Sequence, residues 1–237
     1  MDWKLGKRDM LIDTSNIKGV IFDIDGTLLN SMPVWDDICT RFLISEGIPD
    51  NDIEPDLDEK AYRMTFEEGC HYLKTHYALS KSENEIFLSI SRMIRDFYYY
   101  EAPPKEGAVE LINKLSEANI PMVLATTGDE DLAMHALDRF GVWGKFSALL
   151  TCGQMNTSKR EPLIFNEAKR IIEEVLNGTV DYNQIYVFED SLTALRTVKN
   201  MGFTTVGIAD DSGKADWNEI ESISDIFIYS LNELELY

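Results

Sequence analysis

The amino-acid sequence predicts an α/β protein: a parallel sheet covered by helices on both faces, with a separate helical segment inserted near its start. Three observations carry this. Val20-Ile21-Phe22, Met122-Val123-Leu124-Ala125 and Tyr186-Val187-Phe188 are short uninterrupted runs with the character of strands buried on both faces. From residue 103 onward strand and helix patterns alternate, which implies parallel strands joined by crossover helices in a Rossmann-like sheet. Residues 34–100 show only helical spacing, as in Val34, Ile38, Phe42 and Leu43.

Taken in order, residues 1–17 are mixed and polar and suggest no element. A first strand runs from about Lys18 to Asp23, and Gly26 lets the backbone turn out of the sheet. Leu28 to Pro33 read as an irregular exit. Helical spacing returns at Phe66, Cys70, Tyr72 and Leu73, and again along Ile86, Ile90, Met93, Ile94 and Phe97. Ala102-Pro103-Pro104-Lys105-Glu106-Gly107 punctuates the return to the sheet. Helices are expected at 108–118, 130–140, 161–176 and after Ser191, and strands at 120–125, 147–150, 184–188, 204–208 and 226–228. The domains follow as 1–33 with 103–237 for the α/β core, and 34–102 for the helical insert.

Composition limits the partners. Against 42 acidic residues stand 22 basic ones, a net charge of −20, which argues against nucleic acid or an anionic membrane surface. An anionic substrate would have to be held by a local positive site, either a metal ion or a few placed Lys and Arg. Cys39, Cys70 and Cys152 are widely spaced, so neither a disulfide framework nor a zinc site follows, and a reducing cytoplasm is the simplest setting. The first nine residues lack the apolar core of a signal peptide, and no run approaches the roughly 18 apolar residues of a membrane span. The expectation is a soluble cytoplasmic protein, monomeric or weakly dimeric, with a small molecule as its partner.

The chemistry gathers at strand ends. Asp23-Ile24-Asp25-Gly26-Thr27, Thr126 and Glu189-Asp190 each follow a buried apolar run, and Lys159 stands in a loop just before a helix. In open α/β sheets ligands bind beyond the carboxyl ends of the strands, so parallel strands would bring these groups to one edge. Clustered carboxylates repel at neutral pH, and hard oxygen donors suit Mg²⁺, which keeps places for water and phosphate oxygens. A lysine and a hydroxyl beside it suit a bound phosphoryl group.

On these motifs the chain resembles the haloacid dehalogenase superfamily, in its phosphatase and β-phosphoglucomutase-like branch with a helical cap. Asp23-Ile24-Asp25-Gly26-Thr27 stands as the first motif, Thr126 after Val123-Leu124-Ala125 as the second, Lys159 as the third and Glu189-Asp190 as the fourth, in family order. The resemblance implies that Asp23 is the nucleophile, forming an aspartyl-phosphate, and that Asp25 acts as general acid and base. It implies Mg²⁺ held by Asp23, Asp190, Glu189 and the backbone carbonyl of Asp25, with Thr126 and Lys159 on the phosphoryl oxygens. Residues 34–102 would be the cap that closes over the site. Arg160 departs from the proline that often follows the third-motif lysine, and Asn30 stands where an aspartate is frequent.

The implied activity is a Mg²⁺-dependent phosphatase acting on a small phosphorylated metabolite such as a sugar phosphate. A phosphosugar mutase is the enzymatic alternative, for which Arg63 is a faint cap-borne phosphate ligand. A dehalogenase is disfavoured because Asp25 is present. An inactive binding protein on the same fold is the non-enzymatic alternative, and the retention of Asp23, Asp25, Lys159 and Asp190 weighs against it.

Overall fold

The structure, a computed structural model, describes residues 10–12 and 16–236. The chain divides into two compact units, Ser31–Ala102 and the sequence on either side of it.

Outside the insert, the buried apolar runs form a six-stranded, all-parallel sheet. At its centre lies β2 (Gly19–Phe22), between β3 (Met122–Thr126) and β5 (Ile185–Glu189). One edge is β4 (Ala148–Thr151); the other side continues through β6 (Thr204–Ile208) to β7 (Ile226–Ile228). The chain therefore builds outward from β2 to β4, then returns past β2 and builds the other way. That reversal opens a crevice at the carboxyl end of β2, the usual place for a ligand in such sheets.

Every residue of β2 and β3 is buried, which is why both read as continuous apolar runs. On one face, α8 (Leu163–Leu176) lays Ile164, Phe165, Ala168 and Ile172, one stripe of the helix, into a core with Ile21, Val123 and Val187. Each of the Ile and Phe side chains contributes about 1.5–3 kcal/mol when fully buried. A methyl group on Gly19 would meet Ile172 at 2.6 Å, so α8 rests directly on the β2 backbone. The same core takes in Ala194 and Val198 of α9 (Leu192–Met201). Phe22, pointing to the opposite face from Ile21, packs on Phe188 with ring centroids 4.6 Å apart and meets Phe146 edge-on.

The insert is wholly helical: α1 (Ile38–Ser45), α2 (Leu57–Tyr62), α3 (Phe66–His76) and α4 (Glu83–Asp96). Thr65 with Glu68, and Ser82 with Glu85, cap α3 and α4 reciprocally. No residue of its own caps α1; Asp58 instead accepts the Cys39 and Thr40 N–H groups at 2.7 and 3.3 Å. Ile86, Ile90 and Ile94 of α4 are buried, as are Phe42 and Leu43 of α1. Sequence spacing marked three helical segments here and passed over α2, whose six residues are too few to show a period.

A second difference lies at the termini. β1 (Met10–Ile12) pairs in parallel with β8 (Leu234–Leu236) as a separate two-stranded sheet, where no element was expected. Three-residue strands leave too little alternation to detect. The first nine residues lie outside the described ones. All three cysteines are free and buried, and burial together with Asp58 pushes the Cys39 thiol up to about 12, so it stays unreactive. No helix among the described residues is long and apolar enough to cross a membrane.

Asp225 ties the open end of β6 to the segment entering β7. Its carboxylate accepts the Thr205 N–H and Oγ1–H, both at 2.9 Å, and the Lys199 ammonium at 2.5 Å. Burial alone would raise this carboxyl, but Lys199 and Thr205 more than offset that and hold it below the ordinary value. Its contribution is therefore complete above the unfolded-state pKa near 3.9 and fades as pH falls through the depressed folded one. The Lys199 and Asp225 side chains are 40 and 41% exposed, so solvent screens the ion pair. Asp225→Ala leaves the buried Thr205 N–H without its acceptor and should cost about 1 kcal/mol in urea unfolding at pH 7, and less at pH 3.

Candidate active site

Strand register sets the site. Phe22 is level with Leu124 of β3 and Phe188 of β5, so the residues just beyond them emerge side by side. The Asp23 N–H donates to the Phe188 carbonyl at 3.0 Å, extending the ladder one residue past β2. Glu189 closes β5, Thr126 closes β3, and Lys159 arrives from the loop between α7 (Cys152–Met155) and α8. Asp23, Lys159, Glu189 and Thr126 are 6, 7, 1 and 1% exposed, a degree of burial that polar groups accept only with partners.

Those partners are one another. The Lys159 ammonium donates to Asp23 Oδ1 and, at 2.7 Å, to Glu189 Oε2. The other Glu189 oxygen accepts the Ser191 N–H at 3.0 Å. After Asp23 the chain curls over the Ile24 carbonyl, which accepts the N–H groups of Thr27, Leu28 and Leu29. Gly26 makes this curl possible at φ +84°, and any side chain there would also overlap the Asp190 carboxylate. Thr27 Oγ1 donates to Asp190 Oδ1 at 3.1 Å.

Electrically the cluster is short of positive charge. Burial alone would lower Lys159, yet Asp23 and Glu189 more than reverse this and keep it a cation. Glu189 is pushed up by burial and then by Asp23; Asp190 is pushed up by burial, then by Asp23 and Glu189. One oxygen from each of Asp23, Glu189 and Asp190 lies within 4.8 Å of the others. Three carboxylates so close fit a hard divalent cation such as Mg²⁺.

The Asp25 carboxylate stands elsewhere in the site. It comes within 2.8 Å of the place a methyl on Gly128 would take, and Thr126 Oγ1 within 3.2 Å of the same point. Thr126 Oγ1 accepts the Gly128 N–H at 2.9 Å. A half-buried acid, a hydroxyl and a glycine loop thus meet on the β3 side, with the acid trio and lysine on the β5 side. From Gly128 a cleft of about 530 Å³ opens along Thr127, Asp129, Met134, Thr151 and Gln154.

The model of one family, the haloacid dehalogenase-like hydrolases, matches residues 17–202. The chain belongs to that family. It is 25% identical to the validoxylamine A 7'-phosphate phosphatase of Streptomyces hygroscopicus subsp. limoneus over 199 residues, 81% of this chain and 85% of that protein. It is 23% identical to a phosphorylated carbohydrates phosphatase of Thermotoga maritima, covering 80% of this chain and 84% of that one. In fold it is similar to CbbY from Rhodobacter sphaeroides, solved with phosphate, at a TM-score of 0.68 and 19% identity over 92% of this chain and 96% of the other. A β-phosphoglucomutase from Clostridium difficile is similar at a TM-score of 0.60 and 18% identity, over 92 and 93% of the two chains.

Within this haloacid dehalogenase-like chain, Asp23, Lys159, Glu189 and Asp190 come together, and Asp25 joins Thr126 at Gly128. Thr127, the next residue, is exposed and lines the cleft. Arg160 is exposed. Sequence reasoning missed the hydroxyl contact of Thr27 on Asp190, and it missed Asp210. This acid is 4% exposed, lies just past the end of β6 and adds to the charge raising Asp190. The signal was available, since Asp210 follows a buried strand as Asp23 and Glu189-Asp190 do.

Removing Lys159 tests this electrostatic balance. Lys159→Met leaves Asp23 and Glu189 buried without their ammonium and should destabilise the metal-free protein by about 3–5 kcal/mol in urea. Carboxyls raised in the folded state bind more protons there than when unfolded, so protonation favours the fold as pH falls. The gap between variant and parent should accordingly be smaller at pH 6 than at pH 8.

Proposed function

We propose that this chain is a Mg²⁺-dependent phosphatase that hydrolyses a small phosphorylated metabolite, a sugar phosphate or similar, through an aspartyl-phosphate. The observation that carries this is the buried Lys159 ammonium bridging Asp23 and Glu189, beside Asp190 and across from Asp25 and Thr126. In this reading the Asp23 carboxylate attacks phosphorus, and the bond to the leaving oxygen breaks. Asp25 protonates that oxygen, then takes a proton from the water that hydrolyses the acyl phosphate. Its half-buried position, away from the acid trio, suits a group that must carry the proton in the first step.

Lys159 and Thr126 hold phosphoryl oxygens as charge develops on them. Mg²⁺ would be held by Asp23, Glu189 and Asp190, with the Asp25 backbone carbonyl, and when bound it supplies the positive charge that lets an anion approach the acids. Residues 34–102 are assigned as the cap that excludes water, on a core of 1–33 and 103–237. The mutase alternative gains little, because Arg63, its candidate for a second phosphate, is exposed and paired with Glu59 at 2.5 Å. The relatives named above act, by their names, on phosphorylated carbohydrates and on validoxylamine A 7'-phosphate, and the first of these supports a sugar-like substrate class.

The test is phosphate release from an aryl phosphate and a panel of sugar and polyol monophosphates. Release should require Mg²⁺, stop with EDTA, and vanish in Asp23→Asn. Asp25→Asn should retain Mg²⁺ binding but lose about 10²–10⁴ in kcat. Release that persists in Asp23→Asn would overturn the covalent mechanism, and no release from any member would overturn the phosphatase.

A further inference from the structure

Lys105 and Asp210 form a buried ion pair that none of these steps uses. Lys105 Nζ lies 2.5 Å from Asp210 Oδ2, with the two side chains 18 and 4% exposed. The other Asp210 oxygen accepts the Ser212 N–H at 3.0 Å and its hydroxyl, while the Asp210 carbonyl accepts the Trp217 indole N–H at 2.9 Å. The pair stands between two segments that both back onto Asp190.

The first segment is the curl after Asp23. Lys105 N–H donates to the Leu28 carbonyl at 2.8 Å, Pro104 bridges Leu29, and Asn30 N–H donates to the Pro103 carbonyl at 2.9 Å. Within the curl, Gly26 and Thr27 lie against the Asp190 carboxylate. The second segment is the turn after β6. Glu189 is level with Gly207, so Asp190 and the residues leading to Asp210 run alongside each other. A methyl on Gly213 would come within 3.8 Å of the Asp190 carbonyl. Asp190 is thus enclosed by two loops, and Lys105 is bonded to both.

We infer that Lys105 is a positioning residue for the divalent-cation site: through Asp210 it locks the 26–30 curl and the 210–213 turn around Asp190. The inference rests on the proposed function only in taking Asp190 as a cation ligand. Groups that orient metal ligands typically change affinity 10–100-fold when lost. Removing Lys105 alone confuses the matter, since it also leaves an unpaired buried carboxylate whose charge would attract the cation. Removing both charges does not.

The experiment measures Mg²⁺ binding by titration calorimetry on the intact protein without substrate. In Lys105→Met/Asp210→Asn, which conserves net charge, Kd for Mg²⁺ should rise about tenfold. In Lys105→Arg, which keeps the pair, it should stay within about threefold. At saturating Mg²⁺ the double variant should recover kcat, which a broken fold would not allow. Ser212→Ala, also charge-neutral, removes one bond to Asp210 and should raise Kd about threefold, serving if the double variant fails to fold. Parent-like Kd in a folded double variant, or in Ser212→Ala if that alone folds, overturns the positioning role. A parent protein that binds no Mg²⁺ overturns this role and the proposed cation site together, whereas Mg²⁺ binding without phosphate release overturns the phosphatase alone.

Discussion

The Lys159 ammonium between Asp23 and Glu189 is the interaction on which the rest of the site depends. Two carboxylates on adjacent strands are nearly shut off from water, and each would cost several kcal/mol if it were left ionised and alone. Lysine reaches them because of hydrophobic packing some distance away. It stands just ahead of α8, and α8 is seated by Ile172 against the bare backbone of Gly19 on β2. The strand that leads into Asp23 is thus the one that fixes the helix delivering the counter-charge. A shift of α8 along β2 would separate charge from charge, so the apolar core sets the electrostatics.

Much of this was legible in the sequence, for a definite reason. A strand buried on both faces must be apolar throughout, so the first acid after such a run marks where the sheet stops excluding water. Asp23 and Glu189-Asp190 stand at such points, and Thr126 directly follows the run Val123-Leu124-Ala125. The structure buries Thr126 and leaves Thr127 exposed. Alternation could say only that Asp23 and Asp25 share a side while the chain remains extended. It does not remain so, because β2 ends at Phe22 and the curl closes on the Ile24 carbonyl. Which acids would gather around a cation, and which would stand apart, was a matter of that curl and of Gly26.

Other features were beyond sequence reasoning because they are pairings rather than patterns. Lys105 stands in a Pro-Pro-Lys-Glu-Gly stretch that reads as a linker, and nothing local connects it to an acid more than a hundred residues on. The pairing of Met10–Ile12 with Leu234–Leu236 joins two stretches too short to show a period. In the insert, α2 has the same difficulty, and its main structural task falls to Asp58, which caps a neighbouring helix rather than its own. Local rules detect caps that act within a few residues, as at Thr65 and Ser82.

Net charge gives the last step. A chain with a surplus of 20 acids has to admit a substrate that is itself an anion. The strand ends hold Asp23, Asp25, Glu189 and Asp190 beside the Lys159 ammonium, which is already engaged by two of them, while a fifth acid, Asp210, is paired with Lys105. Burial, and then the charge of the neighbouring acids, holds Glu189 and Asp190 above the ordinary carboxylate range. Without a divalent cation a phosphate dianion would therefore meet repulsion at these acids. Under the proposed phosphatase reading the charges set an order, cation first and phosphate second, because only another positive charge facing the acids lessens that repulsion.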